Sequence, residues 1–169
     1  MDRPIILVDL DGVMLHHYED ILNEIGLKYE DQTDYELKNL TYEEKNYVWH
    51  KWNTFDYHSS TLSQEVMGAL EEMRKWARVI AVSTPMPGHV DSKYSMLSRH
   101  FHWKDVMLVA DKTLVMGDLI IEDKPANIEN FPGHAIVYDH PYNRHLTDYY
   151  RVTTFSEIPQ LAKEILGYD

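Results

Sequence analysis

The sequence predicts an α/β fold, a parallel sheet with helices on both faces. Three observations predict it. Short, continuous apolar runs recur along the chain, as strands buried on both faces do. Segments with apolar residues at helical spacing lie between several of them. Polar clusters follow the runs directly, and in such sheets ligands bind beyond the carboxyl ends of the strands.

The first run is Pro4-Ile5-Ile6-Leu7-Val8, broken by Asp9-Leu10-Asp11-Gly12. Residues 14–60 then separate it from the next clear element, too long a stretch for an ordinary connection. This stretch is rich in Tyr, Trp, Glu and Asp. It predicts a small helical cap inserted after the first strand; the alternative is a decorated loop around an aromatic minicore. The division expected is a core of residues 1–13 and 61–169, with 14–60 as the cap. A helix is predicted over residues 62–76, with Thr61 and Gln64 in a capping-box pattern and Val66, Met67, Leu70 and Met73 on one face. Arg78-Val79-Ile80-Ala81-Val82 is the next strand and ends in Ser83-Thr84-Pro85. A helix over 89–101 follows, with Val90, Tyr94, Leu97 and Phe101 on one stripe. Further strands are Val106–Val109, Asp118–Ile121 and Ala135–Tyr138. A last helix begins near Ser156, buries Ile158, Leu161, Ile165 and Leu166, and meets Gly167 at its end.

Composition narrows the function classes. The net charge is −12, and no dense Lys/Arg cluster occurs, which argues against a nucleic-acid polymer as partner. No apolar run has membrane-spanning length, and the first residues lack the pattern of a secretory signal. Cysteine is absent, so there is no disulfide framework and no thiolate zinc site. A cytoplasmic location is expected. The ten histidines are scattered without an HExxH pattern and read as ordinary polar residues.

The polar clusters fit phosphoryl chemistry. Phosphomonoester hydrolysis needs a nucleophile, a proton donor for the leaving oxygen, and positive charge around the phosphoryl group. Asp9 would be the nucleophile and Asp11 the acid–base. Two carboxylates repel a dianionic phosphate, so a divalent cation is required, and oxygen ligands suit Mg2+. Asp123 is the best further ligand, with Glu122 beside it. Ser83 would hydrogen-bond a phosphoryl oxygen, helped by Thr84. Lys112 would neutralise phosphoryl charge and keep Asp9 ionised; Lys104 is the rival for that role.

These residues resemble a known set of motifs. Asp9-Leu10-Asp11-Gly12-Val13, Ser83, Lys112 and Glu122-Asp123 are similar to the four motifs of the haloacid-dehalogenase-like superfamily, in the same order. The resemblance implies a Rossmann-like sheet, an aspartyl-phosphate mechanism, and a metal held by Asp9, Asp123 and the backbone carbonyl of Asp11. An aspartate at position 11 resembles the phosphatase branch. Asp111-Lys112-Thr113, then Gly117–Asp123 and Lys124, also resemble the signature of the 5′(3′)-deoxyribonucleotidases, as does the loop Pro141–His145. Four positions depart from that pattern: Glu122 where a second aspartate is usual, His16 and His17 where an acid and a phenylalanine are common, and Ala110 where some members carry arginine. These changes touch substrate recognition more than chemistry.

The leading reading is therefore a Mg2+-dependent phosphatase for deoxyribonucleoside monophosphates. The runner-up is a phosphatase of the same superfamily for a sugar phosphate or a nucleic-acid 3′-phosphate end. A phospho-accepting receiver domain ranks lower, because it is shorter and carries its acceptor on a later strand. The inserted stretch offers Tyr47, Trp49, Trp52, Phe55 and Tyr57 as rings to stack on a base, with Trp49 and Phe55 the first candidates.

Overall fold

The computed structural model describes residues 3–168. Its centre is a six-stranded, wholly parallel sheet in the order β3-β2-β1-β4-β5-β6. The strands are β1 (Ile5–Asp9), β2 (Arg78–Ser83), β3 (Val106–Leu108), β4 (Leu119–Glu122), β5 (His134–Tyr138) and β6 (Tyr150–Val152). β1 lies between β2 and β4, where the strand order reverses. The carboxyl side of such a switch point is where open α/β sheets bind ligands. Asp9, Ser83 and Glu122 are the last residues of β1, β2 and β4, so all three arrive there.

The continuous apolar run of β1 has a direct cause. Ile6 and Val8 enter one core cluster, with Val66, Leu70 and Met73 of α3 (Gln64–Arg74) and Ile158 and Ala162 of α6 (Ile158–Leu166). Leu7 enters the cluster on the other face, with Ile128 of α5 (Pro125–Glu129) and Phe131. Both sides of the strand are dry, so no polar residue can alternate with the apolar ones.

Several predicted details differ. α3 is capped by Ser63, whose hydroxyl accepts the Val66 N–H at 3.2 Å, and not by Thr61. α4 covers only Val90–Leu97, and Val90 and Tyr94 are exposed; Lys93, Met96 and Leu97 form its buried face. In α6 the fully buried residues are Ile158, Pro159 and Ala162, while Leu161, Ile165 and Leu166 are half-buried against the same core. Gly167 ends that helix at φ +62°, where a residue without Cβ carries no penalty. α5 and β6 have no counterpart in the predicted elements. They span five and three residues, too few to show a period.

The stretch after β1 is helical. It holds α1 (Tyr18–Glu24), a 3-10 turn at Tyr29–Asp31, and α2 (Tyr42–Asn53). Thr41 and Glu44 cap α2 reciprocally. Ile21, Leu22, Leu37, Leu40 and Val48 form a small core of their own, with Tyr18 and Trp52 packed against it. Among the described residues no helix is long and apolar enough to cross a membrane.

Candidate active site

After β1 the chain turns back on itself. The Leu10 carbonyl accepts N–H groups from Met14 at 3.0 Å and Leu15 at 2.9 Å. Gly12 sits in this loop at φ +80°. A Cβ there would lie 2.6 Å from Asp123 Oδ2, so the loop and the carboxyl end of β4 approach more closely than any side chain permits. The loop thereby sets Asp9 and Asp11 beside Asp123.

Carboxylate oxygens of Asp9, Glu122 and Asp123 lie within 4.8 Å of one another, all buried. Their roles differ by hydrogen bonding. Glu122 accepts from Lys112 at 2.8 Å, from Asn127 at 3.0 Å, and from the N–H groups of Asp123 and Lys124 at 3.0 Å each. Burial pushes its carboxyl up, but the Lys112 charge and hydrogen bonds with the Asp123, Asp9 and Lys112 side chains outweigh burial and bring it down to about 2. Asp123 is pushed the other way, by burial and by the charges of Glu122 and Asp9. So is Asp9, by burial and by Glu122, with Lys112 opposing from 2.6 Å. Two carboxyls driven toward protonation in a dry pocket are what a bound divalent cation relieves, and an all-oxygen donor set suits a hard one. With its acceptor sites filled, Glu122 organises the cluster, and Asp9 and Asp123 are the carboxylates that could hold a cation.

Lys112 stands on a short 3-10 turn, Lys112–Leu114, whose start Asp111 caps by accepting the Thr113 N–H at 2.9 Å. It bridges Asp9 and Glu122. Lys104 precedes β3 and so lies at the amino end of the sheet, away from the site. Direction along a parallel strand decides between the two lysines.

Asp11 is held at both oxygens. Tyr57 donates its hydroxyl to Oδ1 at 2.6 Å, and Lys93 donates to Oδ2 at 2.5 Å. Burial raises the Asp11 carboxyl, yet the Lys93 charge, with His17 and the two hydrogen bonds, brings it below its ordinary value. Ser83 is buried, and its Oγ is 3.1 Å from Lys93 Nζ; Thr84 lines the cavity above.

That cavity has a volume of about 400 Å³. Asp9, Asp11, Thr84, Lys93, Lys112 and Asp123 line its floor, and Tyr18, Val48, Trp49 and Trp52 reach it from α1 and α2, with Leu37 from the loop between them. Trp49 is 46% exposed and lines it. Phe55 is not among its lining residues. Its ring stacks on His17 at 4.0 Å and packs on the main core, so it joins the insertion to the sheet instead of facing a ligand.

The match to known proteins follows this geometry. Residues 3–165 match the family described as 5′ nucleotidase, deoxy (pyrimidine), cytosolic type C protein. The chain belongs to this family. It is a phosphatase of the 5′-nucleotidase type. A 5′(3′)-deoxyribonucleotidase of Bacillus subtilis is 25% identical over 166 residues, covering 92% of this chain and 96% of that one. Another, from Clostridium acetobutylicum, is 26% identical over 103 residues, 59% of this chain and 57% of its own. A haloacid dehalogenase-like protein from Agrobacterium tumefaciens has the same fold, with TM-score 0.63 at 13% identity over 98% of this chain and all of its own. A second, a hydrolase of that superfamily from Deinococcus radiodurans solved with phosphate and sodium, reaches TM-score 0.57 at 13% identity, over 97% of each chain.

Residues absent from the sequence-derived set complete the nucleotidase site. Tyr142 donates to Asp123 Oδ2 at 2.5 Å, and Asn143 donates to the Asp123 carbonyl at 2.9 Å. Arg151 fixes Asn143 through its side-chain oxygen at 2.7 Å. The Pro141–His145 segment resembles the nucleotidase loop, but nothing local in it indicates contact with Asp123. Tyr142→Phe removes one donor from the Asp123 carboxylate, which could hold a cation. Apparent affinity for the cation is expected to fall by about 10- to 100-fold, with kcat at saturating cation little changed. Titrating activity against the metal measures both; an unchanged affinity would place Tyr142 outside the cation's support.

Proposed function

We propose that this nucleotidase is a Mg2+-dependent 5′(3′)-deoxyribonucleotidase that releases phosphate from deoxyribonucleoside monophosphates through phosphorylated Asp9. The observation that carries the proposal is the buried Asp9–Lys112–Glu122–Asp123 constellation at the β1/β4 switch point, under a cavity of nucleotide scale. Asp9 and Asp123 carboxylates and the Asp11 carbonyl would hold Mg2+. When bound, the cation neutralises charge on the phosphoryl oxygens and holds them in line.

The chain's own residues account for the rest. Asp9 attacks phosphorus as the bond to the nucleoside oxygen breaks, and Asp11 gives that oxygen its proton. Asp11 then takes a proton from water, which attacks phosphorus and breaks the bond to Asp9. Tyr57 and Lys93 fix the Asp11 carboxyl for both steps. Ser83, Thr84 and Lys112 act on the phosphoryl oxygens. Residues 14–60 serve as a cap that closes the cavity over a small substrate, and Trp49 contacts the base. The partner is therefore a mononucleotide, with no role for a nucleic-acid polymer or a membrane.

Turnover of nucleoside monophosphates against a small generic phosphoester tests this reading. Stacking on an aromatic ring contributes about 1–3 kcal/mol per base. Trp49→Ala is then expected to reduce kcat/KM for the nucleotide by roughly 10- to 100-fold and to leave the generic ester nearly unaffected. A parent enzyme with no preference for nucleotides would leave only a general phosphatase of the superfamily.

A further inference from the structure

Lys93 is the most deeply buried ammonium at the site, at 1% exposure, and no motif marks it. It stands on the face of α4 that also carries Met96 and Leu97 into the core. An ammonium at that depth needs acceptors for all three of its protons. It has three: Asp11 Oδ2 at 2.5 Å, Ser83 Oγ at 3.1 Å and the Thr84 carbonyl at 3.4 Å. The Tyr57 ring lies below it, 5.0 Å from centroid to Nζ.

We propose that Lys93 is a second phosphoryl-binding cation of this site, paired with Asp11 as Lys112 is paired with Asp9. The proposal rests on the phosphatase reading above and assigns a further residue to it. Geometry carries it first. Lys93 lines the cavity floor with Asp9, Asp11 and Thr84. Its Nζ lies within hydrogen-bond distance of the Ser83 hydroxyl, so an oxygen that accepts from one is within reach of the other. The Thr84 contact is the longest of its three, beyond good hydrogen-bond length. The donor committed there can turn to a phosphoryl oxygen at little loss while the Asp11 bond stays in place.

Charge carries it second. Asp9, Asp11 and Asp123 bring three carboxylates to the floor, and Glu122 adds a fourth charge directly behind Asp9 and Asp123. Lys112 and one divalent cation leave that floor net negative, and the substrate arrives as a dianion. With Lys93 included, the cluster is neutral while Asp11 is ionised and positive once Asp11 holds the proton it donates. An ammonium attracts the phosphoryl group whatever the leaving group is, so its effect is the same for every phosphoester, unlike that of Trp49.

The probe is inorganic phosphate, the product of any phosphomonoesterase, titrated calorimetrically into the Mg2+-loaded protein. Lys93→Met is expected to raise the phosphate Kd by about 10- to 100-fold and to raise KM for a nucleotide and for a generic ester by similar factors. Lys93→Arg, which keeps the charge, is expected to recover most of the phosphate affinity. A folded Lys93→Met with unchanged phosphate affinity and a lowered kcat would overturn the proposal, because Lys93 would then act only through Asp11. A crystal structure of the parent protein with Mg2+ and phosphate decides the matter without substitution. Lys93 Nζ is expected within about 2.7–3.2 Å of a phosphoryl oxygen. Finding it out of reach of every phosphoryl oxygen overturns the assignment. If the parent binds phosphate through Lys93 but shows no preference for nucleotides, the substrate proposal fails and this one stands.

Discussion

Asp9→Asn is expected to reduce turnover by at least about 10⁴-fold while leaving the melting temperature of the metal-free protein unchanged or higher. The two halves of this result have separate causes. An amide oxygen is a poor nucleophile and cannot form the phosphorylated intermediate, so the chemical step is lost outright. The fold does not depend on the charge. Asp9 lies beside Glu122 and Asp123, and burial and the Glu122 charge already push its carboxyl toward the neutral form. A neutral group there relieves repulsion, and Glu122 remains to pair Lys112 at 2.8 Å. Steady-state kinetics and a thermal melt measure both halves. Residual turnover within about a hundredfold of the parent would exclude Asp9 as nucleophile.

Removal of the metal is expected to have the second largest effect. Exhaustive chelation should abolish turnover, and restoring Mg2+ should return it. Stability should move in parallel, because a ligand present at about 100 times its Kd stabilises by about 2.7 kcal/mol. For a chain of this size that corresponds to a melting temperature lowered by roughly 5–10 °C on chelation. The apparent affinity for the cation should also fall as pH falls. Asp9 and Asp123 are both raised above ordinary carboxyls, so protons compete for the ligand oxygens in the acidic range. Full activity in chelated enzyme would contradict the proposed role of Mg2+.

Much of this arrangement was legible in the sequence, for reasons that particular residues show. The run Ile5–Val8 could be read as a strand because both its faces are dry. Parallel strands all end on one side, so Asp9, Ser83 and Glu122 could be expected together from their positions after apolar runs. The same logic separates Lys112, which follows β3, from Lys104, which precedes it. What escaped depended on partners distant along the chain. Lys93 lies on the buried face of α4 because Asp11, 82 residues earlier, neutralises it. Judged by apolar residues alone, the helix stripe is Val90, Tyr94, Leu97 and Phe101, of which Leu97 and Phe101 are buried but Val90 and Tyr94 exposed. Tyr142 and Asn143 act on Asp123 from a loop about twenty residues later, and no local pattern reports such contacts. In the inserted segment, composition announced an aromatic cluster but not which ring would face outward. Trp49 lines the cavity, while Phe55 is held against His17.

The central claim is that phosphate passes through Asp9. Rapid acid quenching during turnover of a deoxyribonucleoside monophosphate, followed by mass spectrometry of the peptide carrying Asp9, tests it directly. A phosphoryl group is expected on Asp9. Turnover without any phosphorylated protein, or with the phosphoryl group on another residue, would contradict the account.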